Sequence, residues 1–291
     1  MSILFLTDLF EKRRRWLYLT TDTHATENEV IMTKKLLVLL AGQSNMSGRG
    51  YLTENDTVEV PGITAIRRDL VWIPAVDPFN YDRLNMLGLS NAADPFEVKG
   101  LEFEGKRRSG VGPGRTFAKY LKAAFPDREV GLIPASVGGT PVAEWLPGAK
   151  DTYSDMHPYD DALKMTREGL KNGELTAILW HQGESDAHAK TENYKEKLKT
   201  IIANFRRDLN APDVPFILGG LGEYLNPEWQ TDAYDQMIRE TAEEVHCCGY
   251  ASAAGLTDRG DKLHFDTPSQ YELGKRYWLE FCRLKGITAN A

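Results

Sequence analysis

From residue 35 onward, short apolar runs rich in Val, Ile and Leu alternate along the chain with longer amphipathic stretches. This alternation is typical of βαβ units and a parallel sheet, because strands that are buried on both faces read as nearly continuous apolar runs. Each run is long enough for a strand and too short for a helix. The predicted strands cover residues 36–41, 130–135, 176–180, 215–219 and 249–253.

The stretches between and after these runs carry apolar residues at helical spacing. The clearest stretch, residues 190–209, places Tyr194, Leu198, Ile201, Ile202 and Phe205 on one face. The predicted helices cover residues 114–125, 159–170, 190–209, 231–245 and 269–284. Because parallel strands need cover on both faces, the pattern predicts an α/β fold, a three-layer α/β/α sandwich with a roughly five-stranded parallel sheet.

Residues 51–112 interrupt this alternation, since they mix Pro, Gly, Asn and Asp with only brief apolar pieces. We expect long loops or a small hairpin there. Such an excursion either shapes a substrate pocket or packs on the surface, and the sequence leaves both readings open.

The length of 291 residues is compatible with one α/β domain or with two. Before the first predicted strand, the apolar residues 3–6 precede the basic residues 12–15, which reverses the order found in a secretory signal. We therefore interpret residues 1–31 as an N-terminal extension outside the core, and residues 32–291 as the folded domain.

The charge balance excludes some partners. Thirty-five basic and forty-two acidic side chains give a net charge of −7, which disfavours nucleic acid and anionic lipid as partners. No apolar run approaches the roughly 18 residues needed to cross a bilayer. Three cysteines, two of them adjacent, suggest no disulfide framework, and we expect a cytoplasmic location, with secretion left open. No metal-ligand spacing is present, so we expect neither a metal nor another cofactor.

In an open α/β sheet the chemistry lies at the carboxyl ends of the strands. Ser44 follows the first predicted strand within a run of small and amide-bearing residues, so it is either a nucleophile served by a nearby base or a helix N-cap. Gly138 and Gly139 follow the second strand. Their N–H groups can approach an oxyanion closely, or they form an ordinary turn.

The third strand is followed by an unusually polar run, residues 181–186. The Gln182 side chain can donate to an oxyanion, Glu184 can orient neighbouring groups, and we interpret His181 as structural. Near the C-terminus, Asp261 precedes His264 by three residues in one predicted loop. That spacing allows the carboxylate to fix the imidazole as a base, although an isolated motif of this kind is also compatible with a solvated loop.

Four motifs agree in order with one family. They are Gly42-Gln43-Ser44-Asn45-Met46, Gly138-Gly139-Thr140 through Trp145, Gln182-Gly183-Glu184, and Asp261-x-x-His264. Over roughly residues 36–282 the chain resembles the SGNH hydrolase superfamily, which has a flavodoxin-like fold, and within it the sialate O-acetylesterase-like and acetylxylan esterase group.

The resemblance implies a catalytic triad of Ser44 as nucleophile, His264 as general base and Asp261 as its orienting acid. It also implies an oxyanion hole made by the N–H groups of Ser44 and Gly139 and the Gln182 side chain. Many relatives supply that third donor from an asparagine in a G-x-N-D motif, which has no counterpart here. We assign supporting roles to Asn45 and Glu184.

The predicted function is hydrolysis of O-acetyl esters of carbohydrates through an acyl-enzyme, with an acetylated sugar as the partner. Trp145 is the first candidate for stacking on the sugar ring, with Trp72 and Tyr51 as further ones, although core packing is the competing role for each. The alternatives are a catalytically silent carbohydrate-binding protein on the same fold, and a lipase or thioesterase of the same superfamily.

Overall fold

A seven-stranded sheet forms the centre of the fold in the computed structural model, which describes residues 34–289. In chain order its strands are β1 (Lys35–Gly42), β2 (Ile63–Ile66), β3 (Trp72–Pro74), β4 (Val130–Pro134), β5 (Gly173–His181), β6 (Phe216–Gly219) and β7 (Cys248–Ala251). Their order across the sheet is β7-β6-β5-β1-β4-β2-β3. All neighbours are parallel except β3, which pairs with β2 in antiparallel fashion.

Helices cover both faces of this sheet. In chain order they are α1 (Ser44–Ser47), α2 (Pro113–Ala124), α3 (Pro158–Gly169), α4 (Glu184–Ala189), α5 (Tyr194–Asp208), α6 (Thr231–Glu244) and α7 (Thr267–Lys285). Single 3-10 turns occupy Glu54–Asp56, Leu84–Leu87, Val142–Trp145 and Pro227–Trp229. Two small antiparallel ribbons pair Gly50–Tyr51 with Ser109–Val111 and Glu102–Phe103 with Lys106–Arg107.

The strand β1 shows why the sheet is covered on both sides. Its alternate residues point to opposite faces. Leu37 and Leu39 enter a core cluster with residues of α3, α5 and α6. Val38 and Leu40 enter a second cluster with residues of α2 and α7. The predicted α/β class and three-layer sandwich are therefore confirmed.

Local sequence signals set the ends of the helices. α2 has a proline at its start, and Pro126 follows shortly after its end. α7 begins after Asp266, whose carboxylate accepts a hydrogen bond from the Ser269 N–H over 2.9 Å. It ends at Gly286, which adopts a left-handed φ of 63°. Every predicted strand and helix is present, with ends that differ by a few residues.

The predicted strand number was too low. β2 and β3 form a hairpin within residues 51–112, and β2 joins β4, so this hairpin extends the main sheet instead of lying apart from it. The two strands contain only four and three residues, too few to show a clear alternation among Pro and Gly. The remaining five strands keep the flavodoxin-like order, in which β1 lies between β4 and β5.

The predicted extension at residues 1–31 lies outside the described residues and stays a prediction. Within residues 34–289, none of the helices combines the length and the apolar character needed to span a bilayer.

Candidate active site

Three side chains form one hydrogen-bonded chain at the carboxyl edge of the sheet. The Ser44 hydroxyl oxygen lies 3.0 Å from Nε2 of His264. Nδ1 of His264 lies 2.7 Å from a carboxylate oxygen of Asp261. With its proton on Nδ1, the imidazole donates to Asp261 and leaves Nε2 free to accept the serine proton. The structure thus brings together the three residues that the sequence predicted.

A tight turn after β1 places Ser44. Gly42 has a φ of 120°, and a Cβ there would overlap the carbonyl oxygen of His181, so the position requires glycine. The Gln43 N–H donates to that same carbonyl over 2.8 Å, which fastens the turn to the end of β5. Ser44 then opens α1, and its N–H belongs to the first helical turn, where backbone donors have no partner within the helix.

The loop from Asp258 to His264 is organised by its own carboxylates. Asp261 accepts the N–H groups of Leu263 and His264 over 3.0 and 2.8 Å, while Asp258 accepts the N–H of Lys262 over 2.7 Å. These bonds fix the backbone that joins the acid to the histidine. The spacing of three residues therefore accounts for the contact between the acid and the histidine within the loop itself.

Arg259 connects this loop to the rest of the site. Its Nε donates to Asp261 over 2.7 Å, and its Nη1 donates to the carbonyl oxygen of Arg49 over 2.8 Å. The guanidinium thus bonds the same carboxylate oxygen, Oδ2, that His264 contacts. It also ties the loop to the segment that follows α1.

The electrostatics of the triad suit base catalysis. Burial by itself raises the pKa of Asp261, but hydrogen bonds from the side chain and backbone of His264 and from Arg259 hold that pKa well below its usual range. Burial lowers the pKa of His264, and the charges of Arg49 and Arg259 lower it further, against the opposing effect of Asp261. The imidazole therefore stays neutral, and able to accept a proton, to lower pH than an exposed histidine.

Gly139 fits the role of an oxyanion donor. It lines the same cleft as Ser44, adopts a φ of 78°, and has open space where a Cβ would stand. No described residue accepts a hydrogen bond from its N–H. The preceding Gly138 N–H donates to Asp82 over 2.6 Å, which anchors the turn.

The prediction for Gln182 was wrong in its geometry. The side chain is fully buried, and its amide nitrogen donates to Asp186 and to the carbonyl oxygen of Thr140. The same nitrogen also lies 3.4 Å from the side-chain oxygen of Gln43, and Gln182 itself does not line the cleft. Gln182 therefore holds two turns together below the site and is unavailable to an oxyanion.

The prediction that Trp145 binds the sugar was also wrong. The indole is completely buried in the core cluster, with its N–H donating to the Thr140 hydroxyl over 3.0 Å and its ring 5.0 Å from that of Trp180. Trp72 lies on the outermost strand under the Lys35 ammonium, and Tyr51 lies beside two arginines. None of these three aromatic residues lines the cleft.

Asn45 and Glu184 occupy supporting positions. The Asn45 amide donates to Glu184 over 2.6 Å and to the carbonyl oxygen of Leu263 over 3.2 Å, and its oxygen accepts the N–H of Phe265 over 3.1 Å. Glu184 is buried, which by itself raises its pKa, but the neighbouring His181 and the bond from Asn45 hold that pKa below its usual value. His181 is buried and lies 3.4 Å from Glu184, as expected of a structural residue.

Sequence reasoning missed a buried ion pair beside the triad. Arg49 and Asp82 are fully buried and 2.8 Å apart, and Asp82 also accepts from the Ser47 hydroxyl over 3.0 Å. Asp82 belongs to the irregular stretch of residues 51–112, where one acid among many carries no distinguishing pattern. Arg49 stands in the motif-bearing run after β1, which was the available signal.

The cleft that contains Ser44 and His264 has a volume of about 440 Å³. Its wall includes residues that the sequence did not single out: Arg83, Asn85, Met86, Tyr153, His188 and Trp229. Trp229 contacts His188 with ring centroids 4.7 Å apart, and Tyr153 is 77% exposed. Aromatic groups are thus present at the cleft, but they come from loops after β4 and β6.

Residues 34–283 match the family described as carbohydrate esterase, sialic acid-specific acetylesterase. A probable carbohydrate esterase of Arabidopsis thaliana is 30% identical over 267 residues, which cover 84% of this chain and 91% of the relative.

Two solved structures resemble the fold. An Arabidopsis thaliana protein is similar with a TM-score of 0.67 and 27% identity, over 86% of this chain and 99% of its own. A carbohydrate acetylesterase from Xanthomonas citri is similar with a TM-score of 0.53 and 16% identity, over 85% of this chain and 56% of its own. At the lower identity the likeness concerns the fold alone.

Proposed function

We propose that this chain, which belongs to the carbohydrate esterase family of sialic acid-specific acetylesterases, hydrolyses O-acetyl esters of sugars through an acetyl-serine intermediate at Ser44. Family membership confirms the resemblance that the sequence motifs indicated. It makes the protein a carboxylic ester hydrolase of the carbohydrate esterase class. The acyl-enzyme route is the step that we add.

One observation carries the proposal: the hydrogen-bonded chain from Ser44 through His264 to Asp261 stands in an open cleft. A serine hydroxyl becomes a good nucleophile only when a base removes its proton, and Nε2 of His264 lies within hydrogen-bond distance to do so. In the first step the serine oxygen attacks the acetyl carbonyl carbon while His264 takes the hydroxyl proton.

The attack places negative charge on the former carbonyl oxygen. The N–H groups of Ser44 and Gly139 are the donors suited to hold it, since both belong to residues that line the cleft and neither is taken by an acceptor among the described residues. Preorganised donors of this kind stabilise the tetrahedral intermediate without moving.

Collapse of the intermediate breaks the bond to the sugar oxygen, which leaves with the proton that His264 accepted. The acetyl group stays on Ser44. Water then loses a proton to His264 and attacks the acetyl carbonyl, and the second tetrahedral intermediate releases acetate with return of the proton to Ser44. Asp261 remains ionised throughout, since its depressed pKa lies far below neutral pH.

The sugar would lie at the cleft mouth. Trp229, Tyr153 and Met86 offer apolar surface there, while Arg83 and Asn85 offer hydrogen-bond donors. A pyranose presents an apolar face and a polar rim, so this combination matches it.

Acetate release from a panel of acetylated sugars tests the proposal. We expect the wild-type enzyme to release acetate, and mass spectrometry of a rapidly quenched reaction to find one acetyl group on the peptide that contains Ser44. Ser44→Ala should abolish both signals. Acetate release by Ser44→Ala at the wild-type rate would overturn the proposal.

The same panel separates the other functions considered for this fold. Sugar binding without acetate release would indicate a catalytically silent binding protein. Preference for long-chain esters over acetates would indicate a lipase or thioesterase. Either result would replace the proposed function.

A further inference from the structure

A second cavity, of about 690 Å³, adjoins the catalytic cleft. The two spaces share three lining residues: Arg83, Asn85 and Tyr153. Most of the remaining lining comes from residues 66–96, within the stretch that the sequence left as loops or a hairpin. Building on the proposed function, we propose that this cavity binds the sugar unit next to the acetylated one, so that the substrate is a neutral acetylated oligosaccharide.

The wall between cleft and cavity is fixed in place. The Arg83 guanidinium donates to both carboxylate oxygens of Asp151, over 2.8 and 2.7 Å, and to the carbonyl oxygen of Gly138 over 3.1 Å. The Asp151 side chain is fully buried, so its ion pair with Arg83 is shielded from water. Because Gly138 directly precedes the proposed oxyanion donor Gly139, Arg83 connects the wall of the cavity to the turn beside Ser44.

The lining of the cavity suits a sugar better than an acyl chain. Tyr81 and Phe96 pack edge to face with centroids 4.7 Å apart, and the Arg67 guanidinium lies 3.6 Å from the Phe96 centroid. These contacts hold the two aromatic rings of the lining in place. Asn85 and Asn91 add amide groups to the lining. Aromatic rings beside amides and guanidinium groups match the apolar faces and hydroxyl rim of a pyranose, whereas an acyl chain has no hydrogen-bonding groups to satisfy them.

The charges favour a neutral sugar over an acidic one. Each of the arginines that line the cavity has its own carboxylate: Arg67 pairs with Asp69 at 2.6 Å, Arg68 with Asp161 at 3.2 Å, and Arg83 with Asp151 at 2.7 Å. In the cleft, Arg49 is paired with Asp82. The carboxylate of an acidic sugar would therefore have to compete with an existing ion pair, while hydroxyl groups can share the guanidinium N–H donors without disturbing one.

The experiment compares acetylated xylose, acetylated xylotriose, an O-acetylated sialic acid and a small aryl acetate. We expect the wild-type enzyme to have a kcat/KM for acetylated xylotriose about five-fold or more above that for acetylated xylose, the gain that one aromatic-lined contact supplies. We expect the acetylated sialic acid to be the poorest of the three sugars.

Asn91→Trp tests the cavity itself, because Asn91 is exposed and lines the cavity but not the cleft. The added indole should remove the preference for the trisaccharide and leave kcat/KM for the aryl acetate and for acetylated xylose unchanged. Asn172→Trp is the matched control, since Asn172 is exposed and directly precedes β5 at the opposite edge of the sheet. It should behave like the wild type. Phe96→Ala should also weaken the trisaccharide preference.

The outcomes separate the two proposals. Acetate release from none of the sugars would overturn the proposed function and this inference with it. Acetate release with equal kcat/KM for the mono- and trisaccharide, a trisaccharide preference unchanged in Asn91→Trp, or a preference for the acetylated sialic acid would overturn the cavity assignment alone.

Discussion

Asn45 and Glu184 are 139 positions apart in the sequence, yet the Asn45 amide donates to the Glu184 carboxylate over 2.6 Å. Asn45 follows the proposed nucleophile Ser44 on α1, and Glu184 opens α4 after β5. Asn45 also contacts the backbone on both sides of His264. This single side chain therefore joins the turn after β1, the start of α4 and the loop that contains His264. The triad is therefore held by a network, and its members can be tested separately.

Replacement of Ser44, the proposed nucleophile, should have the largest effect on activity. Ser44→Ala removes the hydroxyl that lies 3.0 Å from His264, so kcat for an aryl acetate should fall about 10⁴-fold or more. Steady-state kinetics measure this. Ser185→Ala is the control, because Ser185 lines the same cleft but donates to the Gly139 carbonyl oxygen, and kcat there should change far less. Equal losses in both variants would contradict the assignment of Ser44.

The pH dependence of the wild-type enzyme should reflect the depressed pKa of His264. Only the neutral imidazole accepts the serine proton, so activity is lost as pH falls through the pKa of this group. Because burial lowers that pKa below the ordinary 6.5, kcat/KM should stay high at pH 6.5 and fall only at lower pH. A profile of kcat/KM against pH checks this, and a midpoint above 6.5 would contradict it.

The charge of Arg259 should affect the pH at which kcat/KM falls to half of its maximum. Its positive charge disfavours protonation of His264, so removal of the charge in Arg259→Gln should raise the pKa of His264 and move the loss of activity to higher pH. Arg259→Lys keeps the charge and should retain a profile near that of the wild type. Profiles of kcat/KM against pH for the wild type and the two variants test this. Identical profiles for the Gln and Lys variants would show that the charge has no role.

The buried pair of Arg49 and Asp82 should matter for stability as well as activity. Asp82→Ala leaves the fully buried guanidinium without its partner and releases the Gly138 turn, so the free energy of unfolding should fall by about 3–5 kcal/mol. Urea denaturation followed by circular dichroism measures this. Asp155→Ala removes the partner of an exposed pair with Lys150 and should leave the urea midpoint unchanged. A urea midpoint for Asp82→Ala equal to that of the wild type would contradict a stabilising role for the ion pair of Arg49 and Asp82.

Replacement of two tryptophans should affect different quantities, KM for Trp229 and stability for Trp145. Trp229→Ala removes aromatic surface from the cleft and should raise KM for acetylated sugars about three- to ten-fold while leaving ethyl acetate hydrolysis unchanged. Trp145→Phe removes a buried N–H that bonds to Thr140 and should lower the free energy of unfolding by about 1–2 kcal/mol without changing KM. Thermal unfolding and steady-state kinetics on both variants test the pair of expectations. A raised KM in Trp145→Phe with unchanged stability would contradict the structural role of Trp145.

Much of this site could be predicted because its chemistry follows short-range spacing. The distance of three residues between Asp261 and His264 lets the acid accept the histidine's own backbone N–H, so the local sequence favours the contact between these two residues. Ser44 directly follows a strand whose apolar pattern is unmistakable, and the carboxyl end of a parallel strand lies at the functional edge.

Gln182 and Trp145 show where that reasoning fails. Both stand within matching motifs, but the direction of each side chain is set by partners from other segments: Asp186 and the Thr140 carbonyl for Gln182, and the Thr140 hydroxyl with the Trp180 ring for Trp145. A motif gives the position of a residue along the backbone. It does not give the acceptor that a buried polar group must find, and burial makes that choice decisive.

The amino-acid sequence by itself determined the layers of the fold and the order in which strands and helices follow one another, because periodicity acts over a few residues. Its motifs also singled out Ser44, Asp261 and His264, which the structure brings together in one hydrogen-bonded chain. Tertiary structure decided the buried pair of Arg49 with Asp82, the aromatic residues at the cleft, and the cavity beyond Arg83. These features depend on which distant segments meet, and an irregular stretch such as residues 51–112 acquires its shape only by packing against the finished sheet.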